Sequence, residues 1–147
     1  MDREEIDRFP TGPLFAVPIA MAGVSRFQEL VAWRLAVELK DFVDSICQRP
    51  TVRRDLKFHS QFSDAAASGP RNIAEGFGRK SHPDFARFAY IAKASELEVL
   101  NHLIDAHSKG HLTAAELDRG DHAVKKALKA LNGLIRHLES TPHYGRK

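Results

Sequence analysis

From residue 25 onward, apolar and polar positions alternate with a period close to 3.6. Ala32, Ala36, Leu39, Val43 and Ile46 step by four and three, Leu35 and Phe42 widen the stripe, and Phe27, Leu30 and Trp33 add a second apolar surface. This pattern predicts a helix over residues 25–48, ended by Pro50, with an apolar arc wide enough to face two partners. A second helix is predicted from about residue 53, with Leu56, His59, Phe62 (or Ser63) and Ala66 facing inward. The small residues at 65–69 would let another helix approach closely. Pro70 has no N–H to bond back one turn, so it is expected to kink or break this helix. Residues 71–76 can then resume as one turn, with Gly76 or Gly78 supplying a left-handed stop.

Ser81 opens a third helix as its cap, with Asp84 as the returning carboxylate and Pro83 tolerated in the first turn. Phe85, Phe88, Ala92, Ser95, Val99, Leu103 and Ala106 carry its stripe, and Gly110 stops it. Thr113 and Glu116 form a second capping box ahead of Leu117, Val124, Leu128, Leu131, Ile135 and Leu138. Four amphipathic helices joined by short turns predict an all-α fold, an antiparallel up-down four-helix bundle with the second helix kinked near Pro70. The expected organisation is an N-terminal arm at 1–24, the bundle at 25–140 and a tail at 141–147. The arm reads as a flexible, disordered tail; the alternative is that Leu14 to Met21, apolar enough to do so, docks on a neighbouring subunit.

A chain of 147 residues suffices for one domain with a real core. Its net charge of +3 is mildly basic, compatible with a nucleic-acid partner but well short of a dedicated binder. The single cysteine, Cys47, excludes an intrachain disulfide, and with no activating neighbour in sequence it reads as a buried structural thiol. The amino end mixes acidic with basic residues, and Pro10, Pro13 and Pro18 interrupt its apolar run, which does not suit a secretory signal. No uninterrupted apolar stretch of about 18 residues occurs, so no membrane span is predicted and a cytoplasmic location is expected.

The stretch at 69–88 resembles a phosphate-binding loop only superficially. Gly78-Arg79-Lys80-Ser81 is preceded by Ile73 where that motif has its first glycine, and Gly76-Phe77-Gly78 lacks the third glycine of the dinucleotide pattern. A structural lock or subunit interface fits better. Asn72, Glu75, Arg79 and Arg87 would be joined by hydrogen bonds and ion pairs, with Pro70, Gly76, Gly78, Ser81 and Asp84 shaping the chain around them. Ligand or RNA contact is the alternative there. Two basic groups are the candidate nucleic-acid-binding residues: Arg53, Arg54 and Lys57, beside Arg49, and Lys125, Lys126, Lys129 and Arg136. Each taken alone also fits a solvated helix face.

His107 and His111 are four apart with His102 nearby, but Gly110 falls between them, so no metal and no cofactor is expected. Glu96 and Glu98, two apart on a helix, point in different directions and do not make a catalytic pair. No catalytic residues are assigned, and no enzymatic activity is expected.

The run Gln61-Phe62, Ala65-Ala66, Ser68, Pro70, Asn72-Ile73-Ala74-Glu75-Gly76-Phe77-Gly78-Arg79, Ser81, Asp84-Phe85 and Arg87-Phe88 resembles the signature of the bacterial four-helix bundle family, the 23S rRNA intervening-sequence proteins. Phe27, Leu30, Trp33, Ala36 and Leu39 are similar to the family's first helix, and the resemblance covers roughly residues 26–139. It implies a ring-like homopentamer without established catalytic activity, and in a related group an accessory nucleic-acid-binding subunit. The chain departs from the pattern at Ser63 and Asp64, where the family usually carries a basic pair, and at Leu100, where a second glutamate follows Glu98. The resulting expectation is a homo-oligomeric scaffold with RNA or DNA backbone as its partner; the alternative is a module that recruits a protein partner through its arm and ring surface.

Overall fold

The computed structural model describes residues 23–141. A short 3-10 turn at Phe27–Glu29 leads into α1 (Val31–Cys47), followed by α2 (Pro50–Arg54), α3 (Leu56–Phe77), α4 (His82–Ser108) and α5 (Ala114–Ser140). The described residues are helical without a strand. The four long helices pack in a cycle, α1 on α3, α3 on α4, α4 on α5 and α5 back on α1. Side chains from opposite ends of successive helices meet: Lys109 reaches Asp55 at 3.1 Å, and the Tyr90 hydroxyl donates to Glu139 at 2.6 Å. The arm before Gly23 and the tail after Thr141 lie outside the described residues.

Local chemistry explains most boundaries. Ser81 accepts from the Asp84 N–H, and Thr113 and Glu116 complete a reciprocal capping box. Gly110, at φ +79°, takes the left-handed conformation that ends α4, and the His111 N–H returns to the Ala106 carbonyl at 2.9 Å.

Four expectations change. Pro50 ends α1 by occupying the first turn of α2, where its missing N–H is harmless. The break between α2 and α3 falls at Asp55, which caps α3 by accepting from the Phe58 N–H. Phe58 is therefore the buried anchor of the first turn, while Leu56, expected inside, is 76% exposed. Pro70 does not break its helix: α3 is continuous from Leu56 to Phe77. Gly69 and Pro70 are both buried there, and tertiary packing offsets the single backbone bond that proline removes. The expected left-handed stop is absent as well, since Gly78 sits at φ −76° in the right-handed region. Gly76 serves close approach instead, because a Cβ on it would stand 2.5 Å from Phe85 Cδ2 and 2.9 Å from Phe88 Cβ.

The core falls into two apolar clusters. One gathers Leu39, Val43, Phe58, Phe62, Leu103 and Val124; the other gathers Leu30, Ala36, Ile73, Phe85, Leu131 and Leu138. Along every long helix the change from one to the other comes near mid-length, and on α3 and α4 polar residues occupy that level. Asn72 Nδ2 donates to the Ser68 carbonyl at 2.8 Å and to Ser68 Oγ at 2.9 Å, and Ser68 Oγ lies 2.7 Å from Ser95 Oγ. Ser95 donates to the Ile91 carbonyl at 3.0 Å, so its single proton is committed and Ser68 is the donor between the two hydroxyls. Glu96 lies on the same level, 2% exposed, with neither carboxylate oxygen hydrogen-bonded.

Candidate functional site

Each feature singled out in the sequence occupies a definite place. At the α3–α4 corner, Arg79 Nη2 lies 3.0 Å from Glu75 Oε1, and its guanidinium covers the Phe88 ring at 4.4 Å. Arg79 Nε lies 3.9 Å from Asp84, and Arg87 reaches Asp84 at 3.3 Å. The corner thus joins Glu75, Arg79, Asp84 and Arg87 in one chain of exposed ion pairs around Ser81. Asn72 is separate from it, because its amide turns inward to Ser68. Pro70 is buried one turn earlier, and Gly76 is pressed against α4.

The first basic group sits at the opposite end of α3. Arg53 and Lys57 are exposed and make no ion pair among the described residues, while Arg54 Nε donates to the Pro50 carbonyl at 3.2 Å. Arg49 leaves this group. Its Nη1 donates to the His111 carbonyl at 2.9 Å and to Glu116 Oε1 at 3.2 Å, while its Nη2 donates to Glu116 Oε2. This fork ties the end of α1 to the start of α5, and with the Thr113 cap it holds the Glu116 carboxyl down at about 2.

The second group lies along α5. Lys125 is 2.6 Å from Asp121 and Lys126 is 3.9 Å from Glu38, so part of its charge is locally balanced. Lys129 and Arg136 are exposed on the same helix. Exposed pairs of this kind contribute little to stability and open readily to a competing phosphate.

The candidates for chemistry separate in space. His102 is buried, edge-on to Phe58 with centroids 5.9 Å apart, and its Nε2 lies 3.4 Å from Glu98 Oε1. His111 packs against the same Phe58 ring at 5.7 Å, and His107 is exposed. No three His, Cys, Asp or Glu side chains converge to hold a metal among the described residues. Glu96 points into the core and Glu98 into solvent. Burial pushes the Cys47 thiol up to about 11, so it is not a nucleophile at neutral pH, although it borders an open depression shared with Arg53, His59 and Ser63.

Two features escape sequence reasoning. Glu96 reads there as one of two divergent carboxylates, yet its i−4 and i+3 neighbours, Ala92 and Val99, both lie in the core stripe and signal its burial. The outward face of α4 is the other. Tyr90, Ile91, Leu97 and Ile104 are exposed there, and the seven-residue spacing of 90, 97 and 104 is the signal that could have found it.

Compared with known proteins, residues 28–133 match the family described as 23S rRNA-intervening sequence protein. Among curated proteins none matches. No helix in the described residues is long and apolar enough to cross a membrane.

Proposed function

We propose, from the premise that the chain belongs to the 23S rRNA-intervening sequence protein family, that it is a non-enzymatic homo-oligomeric scaffold, pentameric by resemblance, that holds RNA or DNA backbone on repeated basic surfaces. The observation that carries this reading is the set of outward cations. Arg53 and Lys57 at one end and Arg136 on α5 make no ion pair among the described residues, and Lys125 and Lys126 have only surface carboxylates as partners. The mechanism is electrostatic. Lys and Arg release the counterions condensed on the nucleic acid, phosphate displaces their weak surface partners, and a symmetric assembly repeats a modest charge several times. Phosphate contacts position a nucleic acid without reading its bases, so little sequence preference is expected.

Fluorescence polarisation against a structured RNA and a duplex DNA at about 50 and about 200 mM salt tests this, with light scattering to count copies. The expected result is binding at low salt that weakens by orders of magnitude at high salt. Failure to bind either probe at low salt overturns the nucleic-acid half of the reading. A particle mass of a single chain overturns the scaffold half.

A further inference from the structure

The outward face of α4 carries a row of apolar side chains, with Asn101 in line with it and Arg87 and Glu98 beside it. Tyr90, Leu97 and Ile104 recur every seven residues and Ile91 flanks them, each between 46% and 51% exposed, with Ala94 exposed between them. Scattered apolar side chains are ordinary on a protein surface, but these form one stripe about 21 Å long at about 1.5 Å per residue. A stripe of this kind marks a contact surface.

The chain itself contains a fitting occupant. Residues 14–21 read Leu-Phe-Ala-Val-Pro-Ile-Ala-Met, without a charge. Eight residues in extended form span about 26 Å, enough to lie along the stripe. Pro13 and Pro18 favour an extended path, and they suit side-chain packing on a helix rather than strand pairing.

Geometry decides whose stripe this segment meets. Val24 and Phe27 pack on the cluster of Leu30, Ala36 and Ile73, and the turn Phe27–Glu29 lies against α1 and α3. In the helix cycle, α4 stands diagonally from α1, and its Tyr90 reaches Glu139 on α5. Reaching the outward face of α4 means crossing at least one helix diameter, about 10 Å. Only Ala22 separates Met21 from Gly23, which supplies about 7 Å of chain. The run at 14–21 therefore has no linker with which to wrap around its own bundle, whereas the same face on a second copy presents no such restriction.

We infer that residues 14–21 of one copy dock on the Tyr90–Leu97–Ile104 face of a neighbouring copy. This rests on the homo-oligomeric reading above and gives it a physical linkage. Because arm and stripe are different surfaces, the contact is head-to-tail, and its repetition closes a ring when the rotation per copy divides a full turn.

The test mixes two full-length chains, one carrying Phe15→Cys and the other carrying Tyr90→Cys, Leu97→Cys or Ile104→Cys in turn, under mild oxidation. The native Cys47 is buried and gives the background. The expected product is a disulfide-linked pair of unlike chains at one or more of the three positions, absent when either partner chain is omitted. Light scattering on Leu97→Glu/Ile104→Glu, substitutions in exposed positions, is expected to show at least a twofold fall in particle mass. Two outcomes overturn the docking: no pair above background at any position, or an unchanged mass in the double glutamate variant. If the wild type remains assembled in those cases, the scaffold reading stands without this linkage. A wild type of single-chain mass removes both.

Discussion

Glu96 lies against Gly69: a Cβ placed on that glycine would stand 3.6 Å from both Glu96 Cγ and Oε1, and 3.8 Å from the Ala36 methyl. Small residues on α3 and α1 thus make the space in which a carboxyl is buried without a partner. Burial alone, with no charge or hydrogen bond acting on it, raises Glu96 to about 8. The group is neutral in the folded bundle at neutral pH and ionised in the unfolded chain, whose glutamates titrate near their ordinary value of 4.5.

This difference fixes a pH dependence. Between the unfolded value and about 8 the folded state holds one proton more, so Glu96's contribution to stability is greatest below the unfolded value and is lost as pH rises through about 8. Urea midpoints from about pH 5 to about pH 9 are expected to decline more steeply in the wild type than in Glu96→Gln. Glu96→Leu, which fills similar space without a charge to desolvate, is expected to be more stable at about pH 8 by about 1–4 kcal/mol. Equal pH profiles for wild type and Glu96→Leu would contradict the assignment.

Two glycines of α3 should respond unequally to alanine. Gly76→Ala forces a methyl within 2.5 Å of the Phe85 ring and 2.9 Å of Phe88 Cβ, so about 1–3 kcal/mol of destabilisation is expected from overpacking. Gly69→Ala meets the neighbouring helices at 3.6 to 3.8 Å, but its methyl also crowds the ring of Pro70, which disfavours helical backbone in the residue before it. The reduced chain entropy of alanine offsets part of that strain, so a smaller loss than for Gly76→Ala is expected. Thermal melts of the two variants side by side check the contrast.

The Arg49–Glu116 fork gives the protein an acid-sensitive joint. With the Glu116 carboxyl held at about 2, its contribution is present above the unfolded value near 4.5 and lost as pH falls through about 2. Arg49→Ala is expected to lower the urea midpoint at neutral pH. The gap between variant and wild type should close on acidification to about pH 2. A gap that persists there would assign Arg49's role to packing rather than charge.

For nucleic acid, the triple variant Arg53→Ala/Lys57→Ala/Arg136→Ala removes cations that make no ion pair among the described residues. Its fold should be intact by circular dichroism. Its affinity for the RNA probe should fall at about 50 mM salt. On the duplex DNA, the log–log salt slope should become shallower by about 0.9 for each phosphate that the variant no longer neutralises. An unchanged slope would mean that these three side chains do not touch phosphate.

Much of the fold was readable because it rests on short-range rules. The α1 stripe of Ala32, Ala36, Leu39, Val43 and Ile46 is buried as its spacing requires, and both Ser81 and Thr113 cap their helices. Gly110 stops α4 in the left-handed region. Pro70 did not break α3 because its penalty is local, whereas the packing that keeps α3 continuous through it comes from α1 and α4. The candidate site was less legible. Arg49 stands only four residues before Arg53, and it is His111 and the start of α5, 62 to 67 residues away, that draw it out of the basic group.

The amino-acid order by itself determined periodicity, caps and turns, because each depends on residues within one or two helical turns of one another. It also determined the family signature around Pro70 and Gly76. The tertiary structure alone decided which carboxylate was stripped of water, which glycine had to admit a ring, which arginine became a joint and which apolar face was left outside. Those outcomes depend on which helices become neighbours and how closely their backbones meet, a relation between distant residues that no local pattern carries.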